Sequence, residues 1–199
     1  MNNRKVTMFI GVAGSTKSTS ALDLIAESKT IVKPLSFADA LRKYSFQLLN
    51  YTPENYVQAK TKIIFLDKLP MFVTTIVKKY FPFMPTLREV LEKMGDIGRV
   101  LAGESVWTTQ LIEQIKNSNC DIVIDDGRFL DEIVKVRAYC KQNGINFKAI
   151  FCDLKSDKYQ NFNSHNSAKL SQYLRDTLRL KHHEEIDDEI IESLIRNFK

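Results

Sequence analysis

Short apolar runs and longer segments of helical periodicity alternate along this chain. The apolar runs at 6–12, 30–36, 121–126 and 146–152 are rich in β-branched and aromatic residues, which is typical of buried strands. Segments with an apolar stripe at helical spacing fill the intervals between these runs. Because strands alternate with helices, the pattern predicts an α/β fold with a parallel sheet flanked by helices.

The helical segments share this apolar stripe, and several have recognisable ends. Thr86 and Glu89 have capping-box spacing, and Asn143-Gly144 closes another segment. The polar segment 157–166 is predicted to be a loop. The predicted helices cover residues 17–28, 37–49, 55–66, 72–80, 86–101, 104–117, 129–142, 168–179 and 186–198.

Composition narrows the class of protein. A chain of 199 residues with 44% apolar residues can bury one full core, so we expect a single domain over 1–199. No apolar run is long enough to span a bilayer, and the first run is interpreted as a strand instead of a signal peptide. Three cysteines without CxxC spacing are typical of reduced thiols in a cytoplasmic protein, and they do not predict a zinc site.

A candidate phosphate-binding loop follows the first predicted strand. The stretch from Gly11 to Thr19 resembles the pattern G-x-x-x-x-G-K-[ST], in which backbone N–H groups and a helix N-terminus surround phosphate oxygens. Lys17 would reach the β- and γ-phosphates of ATP, and the Ser18 hydroxyl would hold Mg2+. The alternative is an ordinary strand-to-helix turn. The candidate loop residues are Gly11, Ala13, Gly14, Ser15, Thr16, Lys17, Ser18 and Thr19.

Thr16 stands where this pattern has glycine. Glycine permits close backbone approach in conformations that a β-branched residue disfavours. Three explanations stay open: a natural variant with a loosened loop, a substitution in an ordinary Gly-Lys-Ser loop, or a decayed kinase. We expect ATP binding weaker than that of a Thr16→Gly variant.

Charged side chains also follow the third predicted strand. Asp126 and Arg128 lie at its carboxyl end, where open parallel sheets place ligands. Asp126 would orient Arg128, bind Mg2+ through water or contact an acceptor; the alternative is a structural Asp–Arg pair. Arg88 and Arg99 lie eleven positions apart on one predicted helix, about 16 Å along its axis. They would reach a single phosphate only if that helix breaks at Gly95 or Gly98.

Several segments together resemble the bacteriophage-type deoxynucleoside monophosphate kinases. Besides the loop, the segments that carry the resemblance are Ser36-Phe-Ala-Asp39-Ala-Leu-Arg-Lys43, Leu87-Arg88-Glu-Val-Leu-Glu-Lys-Met-Gly95-Asp-Ile-Gly-Arg99, Ile124-Asp-Asp126-Gly-Arg128-Phe129-Leu-Asp-Glu132 and, more weakly, His182-His-Glu-Glu185. Animal phosphomevalonate kinases look similar at the same places. The resemblance implies a P-loop kinase three-layer fold with a helical acceptor-binding region over 37–118 and a lid over 155–182.

The resemblance also implies roles for particular residues. Lys17, Asp126 and Arg128 would be catalytic, and the lid arginines Arg175 and Arg179 would join the loop in binding ATP; a solvated basic face is the alternative for this pair. Asp39 is equally well explained as a helix N-cap, whereas for Trp107 packing in the core or at its rim is favoured over stacking on a base. The residues expected to bind the monophosphate are Phe37, Asp39, Arg88, Gly95, Arg99, Trp107 and Arg128.

The expected partners are therefore small nucleotides, namely ATP and a dNMP, with Mg2+. The net charge of +5 is dispersed, so nucleic acid is disfavoured as a partner, and no membrane contact is expected. A homodimer stays open. The resemblance suggests a phage-derived enzyme of the host cytoplasm that supplies DNA precursors. Two rivals remain: another small-molecule kinase, and a weakened homologue that only binds nucleotides or nucleic acid.

Overall fold

A five-stranded, mostly parallel sheet organises the chain. The computed structural model describes residues 4–12, 14–49, 71–80, 85–153 and 166–198. Its strands lie in the order β2-β3-β1-β4-β5, and only the β4–β5 pairing is antiparallel. β2 and β5 are thus the outer strands, and β2 contains Pro34. The strands are β1 (Lys5–Ile10), β2 (Val32–Leu35), β3 (Asp121–Gly127), β4 (Asn146–Phe151) and β5 (Glu185–Ile186).

Helices connect the strands, and their ends agree closely with the sequence pattern. The Thr86–Glu89 capping box is present at the start of the fourth described helix. A single π-helical turn over Tyr173–Thr177 follows the seventh. Numbered within the described residues, the helices are α1 (Lys17–Glu27), α2 (Phe37–Leu49), α3 (Met71–Tyr80), α4 (Leu87–Ala102), α5 (Val106–Lys116), α6 (Leu130–Gln142), α7 (Asn166–Gln172) and α8 (Asp188–Asn197).

Both faces of the sheet are covered by helices. Successive strand residues point to opposite faces. On β1, therefore, Met8 packs into a large cluster with α5, α6 and α8, whereas Phe9 packs with Ala21 of α1. The central strands are buried on both sides, which explains why they read as continuous apolar runs. This three-layer arrangement confirms the predicted α/β fold class.

The chain divides into two compact units. One contains residues Met1–Phe37 and Thr108–Lys199 and includes the sheet; the other contains Ala38–Trp107 and includes α3 and α4. Within the described residues, no helix combines the length and apolar character needed to cross a lipid bilayer. The assignment of 37–118 to acceptor binding stays a prediction.

The structure differs from the predicted elements in two places near the C-terminus. A helix beginning at 186 is wrong, because Glu185 and Ile186 pair with β4 and the helix begins only after the Asp187 cap. The predicted helix 168–179 is divided, because the Leu178 N–H donates to the carbonyl of Tyr173, five residues back. The predicted helix 55–66 and nearly all of the predicted loop 157–166 lie outside the described residues.

Candidate phosphate-binding site

The loop between β1 and α1 lies against the carboxyl ends of the neighbouring strands. The Gly11 N–H donates to the Gly127 carbonyl at 3.1 Å, and the Cys152 N–H donates to the carbonyl of Ile10. A Cβ at Gly11 would overlap the carbonyl oxygen of Cys152, so glycine is required by this close approach. Ala13 lies outside the described residues.

The N-terminus of α1 has no side-chain cap. Thr16 makes no capping hydrogen bond, and no acidic residue lies in the first turn. By contrast, Thr86 caps α4 and Asp187 caps α8. The first N–H groups of a helix have no partner within that helix, and the helix dipole attracts negative charge to them. This end of α1 therefore suits an anion.

The Lys17 ammonium is bound to its own loop. It donates to the carbonyls of Gly11 at 2.8 Å and Val12 at 2.6 Å, with the Ser15 hydroxyl at 3.3 Å. Burial and the charge of Arg128 lower the pKa of Lys17 to about 8, with burial the larger cause. A buried ammonium that titrates so close to neutral pH is costly to keep charged, and a neighbouring anion would stabilise it.

Arg128 supplies the second positive charge of this region. Among the described residues its guanidinium has no ion pair and no side-chain hydrogen bond, and the side chain is half-buried. The nearby carboxylates Asp125 and Asp126 partly offset its effect on Lys17. The structural Asp126–Arg128 pair considered from the sequence is thus not observed.

The Asp126 carboxylate accepts hydrogen bonds from the residues that join β2 to α2. Its carboxylate accepts the Ser36 hydroxyl at 2.5 Å and the Phe37 N–H at 2.8 Å. These contacts place Phe37 at the strand tips, and they assign Asp126 a structural contact that the sequence reasoning did not foresee.

Glu132, in the first turn of α6, is a residue whose contacts the sequence did not reveal. It is buried and accepts the N–H groups of Arg128 at 2.7 Å and Phe129 at 3.0 Å. Burial, helped by the charge of Asp126, raises the pKa of Glu132 to about 7 against the opposing effects of the two hydrogen bonds and of the Arg128 charge. Its place in the Asp-x-Arg-Phe-x-x-Glu pattern was the available signal.

Thr16 adopts the strained conformation that its sequence position led us to suspect. Its φ of 61° and ψ of 11° lie in the left-handed region, which is a genuine outlier for a β-branched residue. Its hydroxyl is buried and has no hydrogen-bond partner among the described residues. The loop therefore carries local strain and an unsatisfied polar group at the same residue.

Within the unit Ala38–Trp107, the predicted acceptor-binding residues pair along their own helices. Arg88 bonds Glu92 at 2.8 Å, and Arg99 approaches Asp96 at 3.4 Å. Helix α4 is continuous through Gly95 and Gly98, so the break that would bring both arginines to one phosphate is absent from this described helix.

Asp39 lies inside the first turn of α2 and pairs with Arg42 at 2.6 Å. The interpretation of Asp39 as the N-cap of this helix is therefore wrong, because the helix already begins at Phe37.

Trp107 packs on α4 within the same unit. Its indole N–H donates to the Gly95 carbonyl at 3.1 Å, and its ring occupies the space that a Cβ at Gly98 would need. Gly95 is buried, with Leu41 3.2 Å from the position of a Cβ there. These contacts account for both glycines and favour the packing interpretation of Trp107.

The C-terminal residues contact helix α1 through a histidine. His183, with a φ of 66°, places Nε2 2.6 Å from the Ser20 hydroxyl of α1. Arg175 bonds Asp176 at 2.8 Å and lies 3.8 Å from Asp153, and Arg179 is exposed. The predicted lid 155–182 lies partly outside the described residues. No group of three or more potential metal ligands is found in the described part of the chain.

The fold and the loop define this chain as an α/β protein with a candidate anion site at the carboxyl edge of its sheet. No protein-family model matches the sequence, and no curated protein matches it either. A solved mutant of the APS kinase CysC from Mycobacterium tuberculosis is 16% identical, over 90% of this chain and 100% of that one, with a TM-score of 0.36. The protein APE1195 is 16% identical, over 100% of this chain and 94% of that one, with a TM-score of 0.35. Similarity at these scores carries no argument about function.

Proposed function

We propose that this chain is an ATP-dependent kinase that phosphorylates a deoxynucleoside monophosphate. The observation that carries the proposal is the pair of mutually repelling cations, Lys17 and Arg128, beside the uncapped start of α1. Two positive charges in one partly buried region are stabilised by anions, and a phosphotransferase must bring two anionic phosphate groups together.

The donor half of the site rests on the loop and the first turn of α1. The free N–H groups at the start of α1 would bind the phosphates of ATP, and Lys17 would exchange its loop carbonyls for phosphate oxygens. The exposed Ser18 would contribute a hydroxyl ligand to Mg2+, which commonly keeps several waters and substrate phosphates as its other ligands. When bound, ATP supplies the phosphoryl group and Mg2+ neutralises part of its charge. The N–H groups and the Lys17 ammonium fit the phosphates of ATP, and the Ser18 hydroxyl fits Mg2+.

Arg128 carries the acceptor half of the proposed site, and the resemblance to phage kinases adds Arg88 and Arg99 as expected acceptor-binding residues. A monophosphate acceptor already carries an anionic oxygen, so no general base is needed and positioning supplies most of the catalysis. Arg128 would hold the incoming phosphate beside Lys17. Because α4 is continuous, Arg88 and Arg99 would not hold the same phosphate. Asp126 would position Phe37 through the contacts described above.

The remaining assignments follow the resemblance to phage kinases. Arg175 and Arg179 would complete the charge around the phosphates, as lid arginines do in closing kinases. Phe37, Asp39, Gly95 and Trp107 would border the acceptor, with Trp107 acting through its packing on α4. The proposed setting is the cytoplasm of an infected host, where the product would supply DNA synthesis.

An acceptor screen tests this function. Purified protein is incubated with Mg-ATP and dTMP, dGMP, dCMP or modified dNMPs, and ADP and the diphosphate product are measured. Phosphomevalonate in the same panel tests the related kinase chemistry. Lys17→Met is expected to abolish turnover and keep the fold, since it replaces only the ammonium. Full activity in that variant would contradict the role of Lys17.

A weakened kinase is the second candidate, and Thr16 is the observation that favours it. The strained residue and the unsatisfied hydroxyl lie where the loop must contact phosphate. This candidate predicts ATP binding without turnover of any monophosphate. An affinity for DNA that falls steeply with salt would favour a nucleic-acid-binding descendant.

A further inference from the structure

The carboxyl group of Glu132 is placed unusually for a residue that caps a helix. In α4 the capping glutamate, Glu89, is exposed and works together with the Thr86 side chain. In α6 the N-cap is Phe129, which has no polar side chain, and Glu132 is only 6% exposed. A buried carboxyl is costly compared with an exposed one. A purely local capping role does not explain why α6 carries its glutamate in the interior.

The two hydrogen bonds of Glu132 fix the backbone on both sides of the Arg128 α-carbon. The Glu132 carboxylate accepts the N–H groups of Arg128 and Phe129, which lie between the end of β3 and the start of α6. On the other side of Arg128, Asp126 is held by Ser36 and Phe37. The short segment from Asp126 to Phe129 is therefore anchored at both ends.

Arg128 depends on this anchoring for its position. Its guanidinium has no ion pair or hydrogen bond in the described part of the chain, so no side-chain partner directs it. Its charge nevertheless acts on the Lys17 ammonium across the site. The placement of Arg128 relative to Lys17 thus follows from the backbone that Glu132 holds.

We propose that Glu132 is a positioning residue that aims Arg128 at the phosphate groups beside Lys17. It touches no substrate and acts only through the Arg128 and Phe129 N–H groups. The kinetic part of this proposal rests on the proposed kinase function. The structural part, that Glu132 sets the distance between two cations, does not.

The Lys17 ammonium provides a readout that is independent of turnover. The charges that act on it are those of Arg128, which lowers its pKa, and of Asp126, Cys152 and Asp125, which raise it. If Glu132→Ala lets Arg128 move away, the pKa of Lys17 rises. Loss of a negative charge at Glu132 by itself would act in the opposite direction. Burial is the larger cause of the low Lys17 pKa, so an upward shift reports either displacement of Arg128 or better hydration of Lys17, and only the former disappears in the Arg128→Ala background.

The test is an NMR titration of Lys17 Cε in the full chain labelled with 13C-lysine. Glu132→Ala is expected to raise the pKa of Lys17 towards that of Arg128→Ala, with no further rise in the double variant. Glu132→Gln keeps an oxygen acceptor and should leave the pKa near the wild-type value. Asp131→Ala, which removes the neighbouring exposed carboxyl of the same turn, is the matched control. Should Glu132→Ala not fold, Glu132→Asp retracts the carboxyl by one methylene and should shift the pKa in the same direction.

Kinetics with the acceptor dNMP complete the test. Glu132→Ala should raise the KM for the monophosphate or lower kcat by about 10- to 100-fold, as expected for a misplaced binding group. Its effect should vanish in the Arg128→Ala background. An unchanged Lys17 pKa in both Glu132→Ala and Glu132→Asp, or an equal shift with and without Arg128, would overturn the proposal. If the wild-type protein phosphorylates no monophosphate, the proposed function fails while the titration still decides the role of Glu132.

Discussion

At the scale of single residues, the candidate phosphate-binding loop combines a favourable sequence pattern with an unfavourable conformation. The pattern correctly predicted a loop between a strand and a helix, because an apolar run precedes Gly11 and a helical pattern follows Lys17. It did not show that Lys17 would bind the carbonyls of Gly11 and Val12, since such contacts depend on how the loop curves. Nor did it reveal Glu132, whose role depends on burial.

Thr16→Gly is expected to tighten ATP binding and to raise the melting temperature. The left-handed conformation costs a residue with a Cβ roughly 1–2 kcal/mol, and the change also removes the buried unsatisfied hydroxyl. Calorimetric ATP titration and thermal unfolding measure both effects. Thr109→Gly, at an exposed helical threonine of α5, is the control and should lower stability. Unchanged ATP affinity and turnover in Thr16→Gly would contradict this expectation.

ATP binding is expected to take up a proton at mildly alkaline pH. The pKa of free Lys17 is about 8, and bound phosphates would raise it by stabilising the ammonium. Proton uptake should therefore be large near pH 9 and small near pH 6.5. Calorimetry in two buffers of different ionisation enthalpy measures the uptake, and Lys17→Met should abolish it. Equal heats in both buffers at pH 9 would show that Lys17 does not meet the phosphates.

At the scale of elements, boundaries with a physical signal were predicted well, and those without one were not. The capping box at Thr86 and the apolar run of β3 set their elements from local chemistry. β5 has only two residues, too few for any periodicity, and its pairing with β4 depends on the fold. The π turn after α7 likewise has no pattern of its own. The continuity of α4 past two glycines reflects packing, since Trp107 fills the space at Gly98.

Gly98→Ala is expected to loosen the packing of Trp107 on α4. The added methyl overlaps the indole ring, and overpacking of this kind typically costs about 1–3 kcal/mol. Because Trp107 is the single tryptophan, its fluorescence reports the change directly, as a shift towards longer wavelength. Val100→Ala, at an exposed position of the same helix, should leave the emission unaltered. An identical spectrum and stability in Gly98→Ala would rule out this packing role.

At the scale of the whole molecule, Glu132 should impose a pH dependence on folding. Its pKa is raised from 4.5 to about 7 in the folded protein, so between these values the folded state holds a proton that the unfolded state has released. Its contribution to stability is therefore complete below pH 4.5 and is lost as pH rises through 7. Urea unfolding across this range should show a decline that is smaller in Glu132→Gln. A decline of equal size in Glu132→Gln, with Asp131→Asn as the comparison, would assign the effect to other groups.

The two outer strands of the sheet carry a consequence for behaviour at high concentration. In the edge strand β2, Pro34 lacks a backbone N–H donor and the neighbouring Lys33 is exposed. The other edge strand, β5, is only two residues long. Proline, exposed lysine and very short edge strands all hinder edge-to-edge pairing between sheets, the step by which fibres form. We therefore expect the native protein to resist fibre formation at concentrations at which a longer and flatter edge strand would promote it.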